Sequence, residues 1–128
     1  DRLNGIIYDR TMIKDVTDPR IYQIALGLLP ELSKLLPKVP DRKIRFQTID
    51  SAKSISAQIA EGYAKKNSAK EFKRFLEMAL GSSDEVITHL RQIFLLYIHY
   101  VDKELLVKLG NEYKGLSKQI NKTIQIWK

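Results

Sequence analysis

The chain has 128 residues, 44% hydrophobic and 29% charged, which is the composition of one globular domain and excludes a disordered or fibrous chain. It has no cysteine, which excludes disulfides, thiolate zinc sites and thiol nucleophiles and is typical of a reducing cytoplasm. The 22 Lys and Arg exceed the 15 Asp and Glu and give a net charge of +7, a balance that favours polyanionic partners such as RNA or DNA.

The sequence offers no candidate for a membrane span or a secretion signal. No apolar run approaches the roughly 20 residues that cross a bilayer, and the opening residues lack the apolar centre of a signal peptide. We therefore expect a protein of the cytoplasm. Residues 1–17 carry no clear helical or strand pattern, so a short packed segment and a helix both remain open for them.

The first predicted helix covers residues 18–36. Asp18 is its expected N-cap and Pro19 its first helical residue, because proline is tolerated where the backbone amide has no partner. Pro30 lies inside this helix and should kink or split it near residues 25–29, since proline removes a hydrogen bond and clashes with the preceding turn.

Two further helices follow around a short turn. Asp41 can cap the second helix, and Gly62 is its predicted C-terminal stop. Ser68 and Glu71 form a capping-box pattern at the start of the third helix. Its apolar stripe covers about 140° at roughly 100° per residue and consists of Phe72, Phe75, Leu76, Ala79, Ser83, Val86, Ile87, Leu90, Ile93, Phe94 and Tyr97.

Asp102 caps the fourth predicted helix, which has an apolar face and a lysine face. The apolar face carries Leu105, Leu109, Tyr113, Leu116, Ile120, Ile124 and Trp127, and the opposite face carries Lys103, Lys114, Lys118, Lys122 and Lys128. Short connections favour antiparallel neighbours. The sequence therefore predicts an all-α domain over residues 1–128, an antiparallel up-down-up-down four-helix bundle.

One stretch carries a family resemblance. Residues 54–63 read SISAQIAEGY, and they are followed by Ser68, Glu71, Phe72, Phe75, Leu76, Ala79, Gly81, Ser82 and Glu85 at fixed spacing. This pattern resembles the signature of the four-helix proteins encoded in intervening sequences of bacterial 23S rRNA genes, with Gln58 where asparagine is usual and Met78 where isoleucine is usual. The resemblance is specific over residues 54–90. It implies a four-helix fold, similar to that of the accessory proteins of diversity-generating retroelements, and a ring-like homopentamer.

The signature residues have a structural interpretation and a functional one. These residues are Ile59, Ala60, Glu61, Gly62, Ser68, Glu71, Phe72, Gly81 and Ser82. Small side chains, including Ala52, Ala57, Ala60, Ala79 and Gly81, predict close packing of the second helix on the third. Glu61 faces the negative end of a helix dipole, so we expect a pairing with Arg74, Lys65, Lys66 or the amides of the following turn rather than a catalytic carboxylate.

The sequence predicts neither catalysis nor a cofactor. Glu85 and His89 are four residues apart, whereas di-iron bundles need a Glu and a His three apart on each of two helices. Zincin, phosphate-loop and nucleophile-elbow motifs are absent. We expect His89 to be a partly buried structural or interface residue.

Basic residues are the candidate binding site, with RNA, DNA or a nucleic-acid-processing protein as partner. We expect them to form one patch, or else only to solvate the outer faces. The candidates are Arg42, Lys43, Arg45, Lys53, Lys65, Lys66, Lys70, Lys73, Arg74, Lys114, Lys118 and Lys122.

Four apolar residues miss the predicted core and are candidate contacts between subunits: Leu35, Phe46, Leu95 and Ile98. The sequence thus predicts a non-enzymatic homo-oligomer, pentameric by the resemblance, that binds nucleic acid through basic surfaces. The alternative is a structural oligomer or protein-interaction module without nucleic-acid binding.

Overall fold

The computed structural model describes residues 2–3, 6–7 and 19–127. Its main elements are four helices, which confirms the all-α four-helix prediction. They are α1 (Arg20–Leu35), α2 (Arg42–Ala64), α3 (Ala69–Tyr97) and α4 (Lys103–Ile126), with one-turn 3₁₀ helices at Leu36–Lys38 and Ile98–Tyr100. Strands β1 (Arg2–Leu3) and β2 (Ile6–Ile7) form a short antiparallel ladder. The sequence did not predict this ladder, because two residues per strand give no alternation to detect.

Helix α1 is continuous through Pro30, so a split of the helix near residues 25–29 is wrong. A proline inside a helix costs about 3 kcal/mol, whereas each fully buried leucine contributes about 1.5–3 kcal/mol. Leu28 and Leu32 on either side of Pro30 are both buried, and their packing outweighs the missing hydrogen bond. Pro19 is the N-cap residue rather than the first helical residue. The predicted cap Asp18 lies outside the described residues.

Helix α2 continues two residues beyond Gly62, so the predicted stop at this glycine is wrong. Gly62 is buried against α3: a Cβ atom there would lie 3.3 Å from the Phe75 Cβ and 3.4 Å from the Phe72 carbonyl oxygen. The absent side chain allows the two helices to approach each other. At the other end of α2, the Asp41 carboxylate accepts the Ile44 amide at 3.1 Å, which confirms the predicted cap.

Only half of the predicted capping box forms at the start of α3. The Ser68 hydroxyl accepts the Glu71 amide at 3.2 Å. The reciprocal hydrogen bond, from the Ser68 amide to the Glu71 side chain, is replaced by one from the Ser68 amide to the Lys65 carbonyl oxygen at 3.0 Å. The Glu71 side chain is thereby free to bind Arg74. Helix α4 has the cap that the sequence predicts, since the Asp102 carboxylate accepts the Leu105 amide at 3.1 Å.

Contacts near both ends of α3 show that it runs opposite to α2 and to α4. The Tyr97 hydroxyl at the C-terminal end of α3 lies 3.1 Å from the carboxylate of Asp41 at the start of α2. At its other end, the Phe72 ring stacks on Trp127 of α4 with centroids 4.0 Å apart. Helix α1 packs against α2 and α4 and closes the bundle. Its direction stays a prediction from the short α1–α2 connection.

The core agrees with most of the predicted apolar faces but corrects three details. Leu35, predicted to be exposed, is 1% exposed and belongs to the core. Phe94, predicted to be buried, is 40% exposed. The predicted small-residue seam is also partly wrong, because Ala57, Ala60 and Gly81 are exposed. Ala57 and Ala60 lie roughly 200° and 140° from buried Ile55 at about 100° per residue, whereas Ala52 and Ala79, also predicted for the seam, are buried.

Candidate nucleic-acid interface and the α3–α4 groove

The basic residues of α2 and α3 do not form the single predicted patch. Arg42 begins α2 and Lys65 follows its last residue, so about 34 Å of helix separates them at about 1.5 Å per residue. One group lies on the N-terminal half of α2 and consists of Arg42, Lys43, Arg45 and Lys53. The other group surrounds the α2–α3 turn and consists of Lys65, Lys66, Lys70, Lys73 and Arg74. We call the second group the turn cluster.

Three lysines of the turn cluster are available to a ligand. Lys66 and Lys70 are exposed and Lys73 is half-buried, and none of them forms an ion pair within the described part of the chain. The other two members are engaged. The Arg74 guanidinium binds Glu71 at 2.9 Å and lies 4.4 Å from the centre of the Phe75 ring.

The pKa of the Glu71 carboxylate shows the effect of the positive charges around the turn. Its pKa is held below the usual value of 4.5, first by the hydrogen bond from Arg74 and also by the positive charges of Arg74, Lys65 and Lys70. In residues 61–74 the five bases outnumber the two acids. The turn therefore carries a positive potential even though one of its cations is paired.

Glu61 has one of the partners expected for it. The Lys65 ammonium lies 3.9 Å from the Glu61 carboxylate, and both side chains are largely exposed. Arg74, another expected partner, binds Glu71 instead. An exposed pair of this kind contributes at most about 1 kcal/mol, so Glu61 neither anchors the fold nor is placed in a buried catalytic site.

Arg45, one of the predicted binding residues on the N-terminal half of α2, has a structural role. Arg45 donates to the Val39 carbonyl oxygen at 2.6 Å and ties the α1–α2 connection to α2. Arg42 lies over the exposed Phe46 ring, 5.3 Å from its centre. Lys43 and Lys53 are exposed. This half of α2 therefore offers fewer free cations than its sequence indicates.

The α4 lysines lead to a recess that the sequence did not predict. Lys114, Lys118 and Lys122 are exposed, as predicted. Lys114 and Lys118 line a recess of about 320 Å³ between α3 and α4, together with Arg91, Asp84, Thr88, Ile87 and Ser117. The Ser117 hydroxyl donates to the Asp84 carboxylate at 2.8 Å. Arg91 was not a predicted site residue, because a single arginine on a mostly apolar stretch gives no pattern.

A second recess of about 170 Å³ continues the first toward the C-terminal end of α3. It shares Ile87, Arg91 and Lys114 with its neighbour and adds Leu90, Phe94, Leu106, Val107, Gly110 and Asn111. Together the two recesses form what we call the α3–α4 groove. The first recess is the basic end of the groove, with Arg91 and Lys114 where it meets the second recess, and beyond them the second recess is the apolar end.

Buried polar groups of α3 and α4 contact one another inside the bundle. The Ser117 and Ser83 hydroxyl oxygens lie 2.8 Å apart, and Ser83 lies 3.4 Å from the Tyr113 carbonyl oxygen. His89 is more deeply buried than predicted, with its Nε2 atom 4.0 Å from the Glu85 carboxylate.

Within residues 19–127, no three His, Asp or Glu side chains gather as a metal site would require. Among the described helices, none combines the length and the hydropathy of a membrane span.

Four of the nine signature residues serve the contact between α2 and α3. Ile59, Gly62 and Phe72 are buried in that contact, and the Ser82 hydroxyl donates to the Gln58 amide oxygen at 3.1 Å. Gln58, a departure from the usual asparagine, therefore still links the two helices. Ala60 and Gly81 are exposed and add no contact to this interface.

The predicted subunit contacts have different surroundings. Phe46 is exposed, and Leu95 is 80% exposed, the most of the large apolar side chains in the described chain. Ile98 is half-buried. Leu96 and Tyr100, which the sequence analysis did not single out, are also exposed. The end of α3 thus carries an apolar surface, which is typical of a protein contact.

Comparison with known proteins agrees with this architecture. The structure is similar to a crystal structure from Bacteroides thetaiotaomicron VPI-5482, described as a protein with unknown function from the S23 ribosomal protein family. The TM-score is 0.70 at 19% sequence identity, covering 81% of this chain and 97% of that chain. This likeness establishes the fold alone. No curated protein matches the sequence.

The sequence itself decides the family. The sequence profile described as 23S rRNA-intervening sequence protein matches residues 17–122, which is most of the chain and includes the α2–α3 signature. The chain therefore belongs to the 23S rRNA-intervening sequence protein family.

Proposed function

We propose that the protein is a non-enzymatic, homo-oligomeric scaffold of the cytoplasm that binds the backbone of RNA or DNA through its turn cluster. The pentameric ring is the assembly that the family resemblance implies. The observation that carries the proposal is the set of three lysines, Lys66, Lys70 and Lys73, that lie at one end of the bundle and form no ion pair with the described residues.

Assembly is supported by the apolar surface at the end of α3. Leu95, Leu96 and Tyr100 are exposed together with Phe46 of α2, and covering such side chains with a second subunit removes apolar area from water. In a ring, copies of the turn cluster on one rim would add their positive fields. Repetition would then raise the affinity for a polyanion above that of one subunit.

Backbone contacts fit this surface better than base recognition. Base-stacking surfaces interleave aromatic rings with cations. The Phe75 ring lies beside the turn cluster, and the Arg74 guanidinium already lies over it. We therefore expect weak sequence preference and a strong dependence on salt.

The test measures binding of a generic structured RNA by fluorescence anisotropy at two salt concentrations, with light scattering to give the particle mass. The variant Lys66→Gln/Lys70→Gln/Lys73→Gln removes the free cations. A matched control, Lys34→Gln/Lys38→Gln/Lys103→Gln, removes three exposed lysines elsewhere. Binding that weakens only in the first variant, with a salt slope smaller by about 0.7–0.9 for each lost contact, supports the proposal.

Other outcomes favour the alternatives. An oligomer indifferent to RNA would favour a structural or protein-interaction module, for which the apolar surface at the end of α3 is sufficient. Equal loss in both variants would mean that net charge alone attracts RNA. A monomer at all concentrations would contradict the scaffold.

A further inference from the structure

We propose that the α3–α4 groove is a docking site for an acidic amphipathic helix of a partner protein. The site is separate from the turn cluster, so the inference does not depend on nucleic-acid binding. It rests on the shape of the groove, its exposed apolar lining and its cations, which form no ion pair with any described residue.

The shape of the groove suits a helical segment. It follows two antiparallel helices from Asp84 to Phe94 along α3, a length of about 15 Å at about 1.5 Å per residue. The same length accommodates about ten residues of a docked helix. A helix that packs between two others is a common mode of peptide recognition.

The apolar end of the groove is accessible. Phe94 and Val107 are 40% and 44% exposed, from opposite sides of the recess, while Leu90 and Leu106 form its buried floor. Side chains this exposed cost free energy in water and gain by contact with an apolar partner. The lining is mainly aliphatic, which suits leucine-like side chains and offers only Phe94 for stacking a nucleic-acid base.

The charges select the partner. Arg91 and Lys114 lie where the two recesses meet, Lys118 lines the first recess, and none of the three forms an ion pair within residues 19–127. Among the described residues of the lining, Asp84 is the one carboxylate, and it already accepts the Ser117 hydroxyl. Three cations against one carboxylate leave a positive excess. A partner helix with carboxylates at one end and leucine-like residues at the other matches both ends of the groove.

The test uses a fluorescein-labelled synthetic peptide of about 12 residues, slightly longer than the groove, with leucines three and four positions apart and glutamates at one end. A second peptide replaces the glutamates with lysines. The protein variants are Val107→Glu at the apolar end and Arg91→Glu/Lys114→Glu at the basic end. Lys122→Glu is the control, because it is exposed on α4 and does not line the groove.

We expect the acidic peptide to bind the full chain and the basic peptide to bind at least about tenfold more weakly. Each groove variant should weaken the acidic peptide by about tenfold or more, and Lys122→Glu should change it by less than about twofold. Circular dichroism melting checks that the variants fold, which the exposure of the substituted residues favours.

Three results would overturn the inference. One is a failure of the acidic peptide to bind at concentrations up to about 1 mM. Another is tighter binding of a single-stranded oligonucleotide that the groove variants abolish, which would assign the groove to nucleic acid. The third is a fall in particle mass by light scattering in Val107→Glu but not in Lys122→Glu, which would make the groove a contact between copies. Failure of the proposed scaffold function would be visible separately, as a monomer or as loss of RNA binding to the wild type.

Discussion

The Tyr97 hydroxyl donates a hydrogen bond to the Asp41 Oδ2 atom at 3.1 Å, and the Oδ1 atom of the same carboxylate accepts the Ile44 amide. One side chain therefore begins α2 and attaches the end of α3 to it. The hydrogen bond from the Ile44 amide is the main cause that holds the pKa of Asp41 below its ordinary value of 3.8, and the Tyr97 hydroxyl lowers it further.

Asp41 should give the bundle an acid-sensitive increment of stability. Since its pKa is lowered on folding, the increment is present above the pKa of the unfolded chain and is lost as the pH falls through the folded pKa. We expect Asp41→Asn to lower the melting temperature at neutral pH, with the difference from wild type shrinking as the pH falls below the ordinary carboxyl pKa of 3.8. Asp50→Asn, an exposed carboxylate on the same helix, is the control. A constant difference at every pH would contradict the charge argument.

Two glycines with different surroundings should respond in opposite ways to alanine. Gly81 faces open space, so Gly81→Ala should raise the free energy of unfolding by about 0.5–1 kcal/mol through helix propensity. Gly62→Ala should lower it, because the new Cβ would meet the Phe75 Cβ and the Phe72 carbonyl. Urea denaturation of the two variants measures both effects. A more stable Gly62→Ala protein would show that α2 and α3 can separate at no cost.

Tyr113 should make the bundle sensitive to alkali. Burial strongly raises the pKa of its phenol above the ordinary value of 10.0, so above about pH 10 the unfolded chain loses a proton that the folded chain keeps. Stability that is present below pH 10 should therefore fall as the pH rises, by up to about 1.4 kcal/mol per pH unit for this group. Tyr113→Phe should remove that part of the decline. Its hydroxyl has no hydrogen-bond partner in the described chain, so the substitution should be neutral or stabilising at pH 7.

The aromatic stack at the end of α4 should contribute measurably to stability. Trp127 packs on Phe72, whose ring also meets Tyr63 edge-on at 4.9 Å. We expect Trp127→Ala to reduce the free energy of unfolding by about 2 kcal/mol, from lost burial and ring contact. The neighbouring Ile126 is exposed, so Ile126→Ala should stay within about 0.5 kcal/mol of wild type. Equal effects would mean that the helix end frays in solution.

The sequence predicted the helices well because their caps and apolar faces are local patterns. Asp41, Ser68 and Asp102 begin helices as predicted. The predictions at Pro30 and Gly62 were wrong because tertiary packing outweighed local propensity. Buried leucines hold α1 together, and Gly62 lacks a side chain where α2 approaches α3. No single-helix pattern contains that information.

The candidate site was less predictable, since it depends on distances between elements. Arg42 and Lys65 share a helix, yet the length of α2 keeps them apart. Arg91 and Lys114 are far apart in the sequence, and only the antiparallel packing of α3 on α4 brings them to one groove. Ion pairing also decides which cations are free to bind a ligand. Arg74 is paired with Glu71, whereas Lys66 and Lys70 form no ion pair with the described residues.

The chain contains one tryptophan, and its indole stacks on Phe72 at the bundle end that carries the turn cluster. Its intrinsic emission is therefore a label-free optical reporter of that end. A polyanion that engages Lys70 and Lys73, next to Phe72 in the chain, should change the emission. A helix seated between Phe94 and Val107 should leave it unchanged. A single spectroscopic titration can thus separate the two binding events that we propose for this small protein.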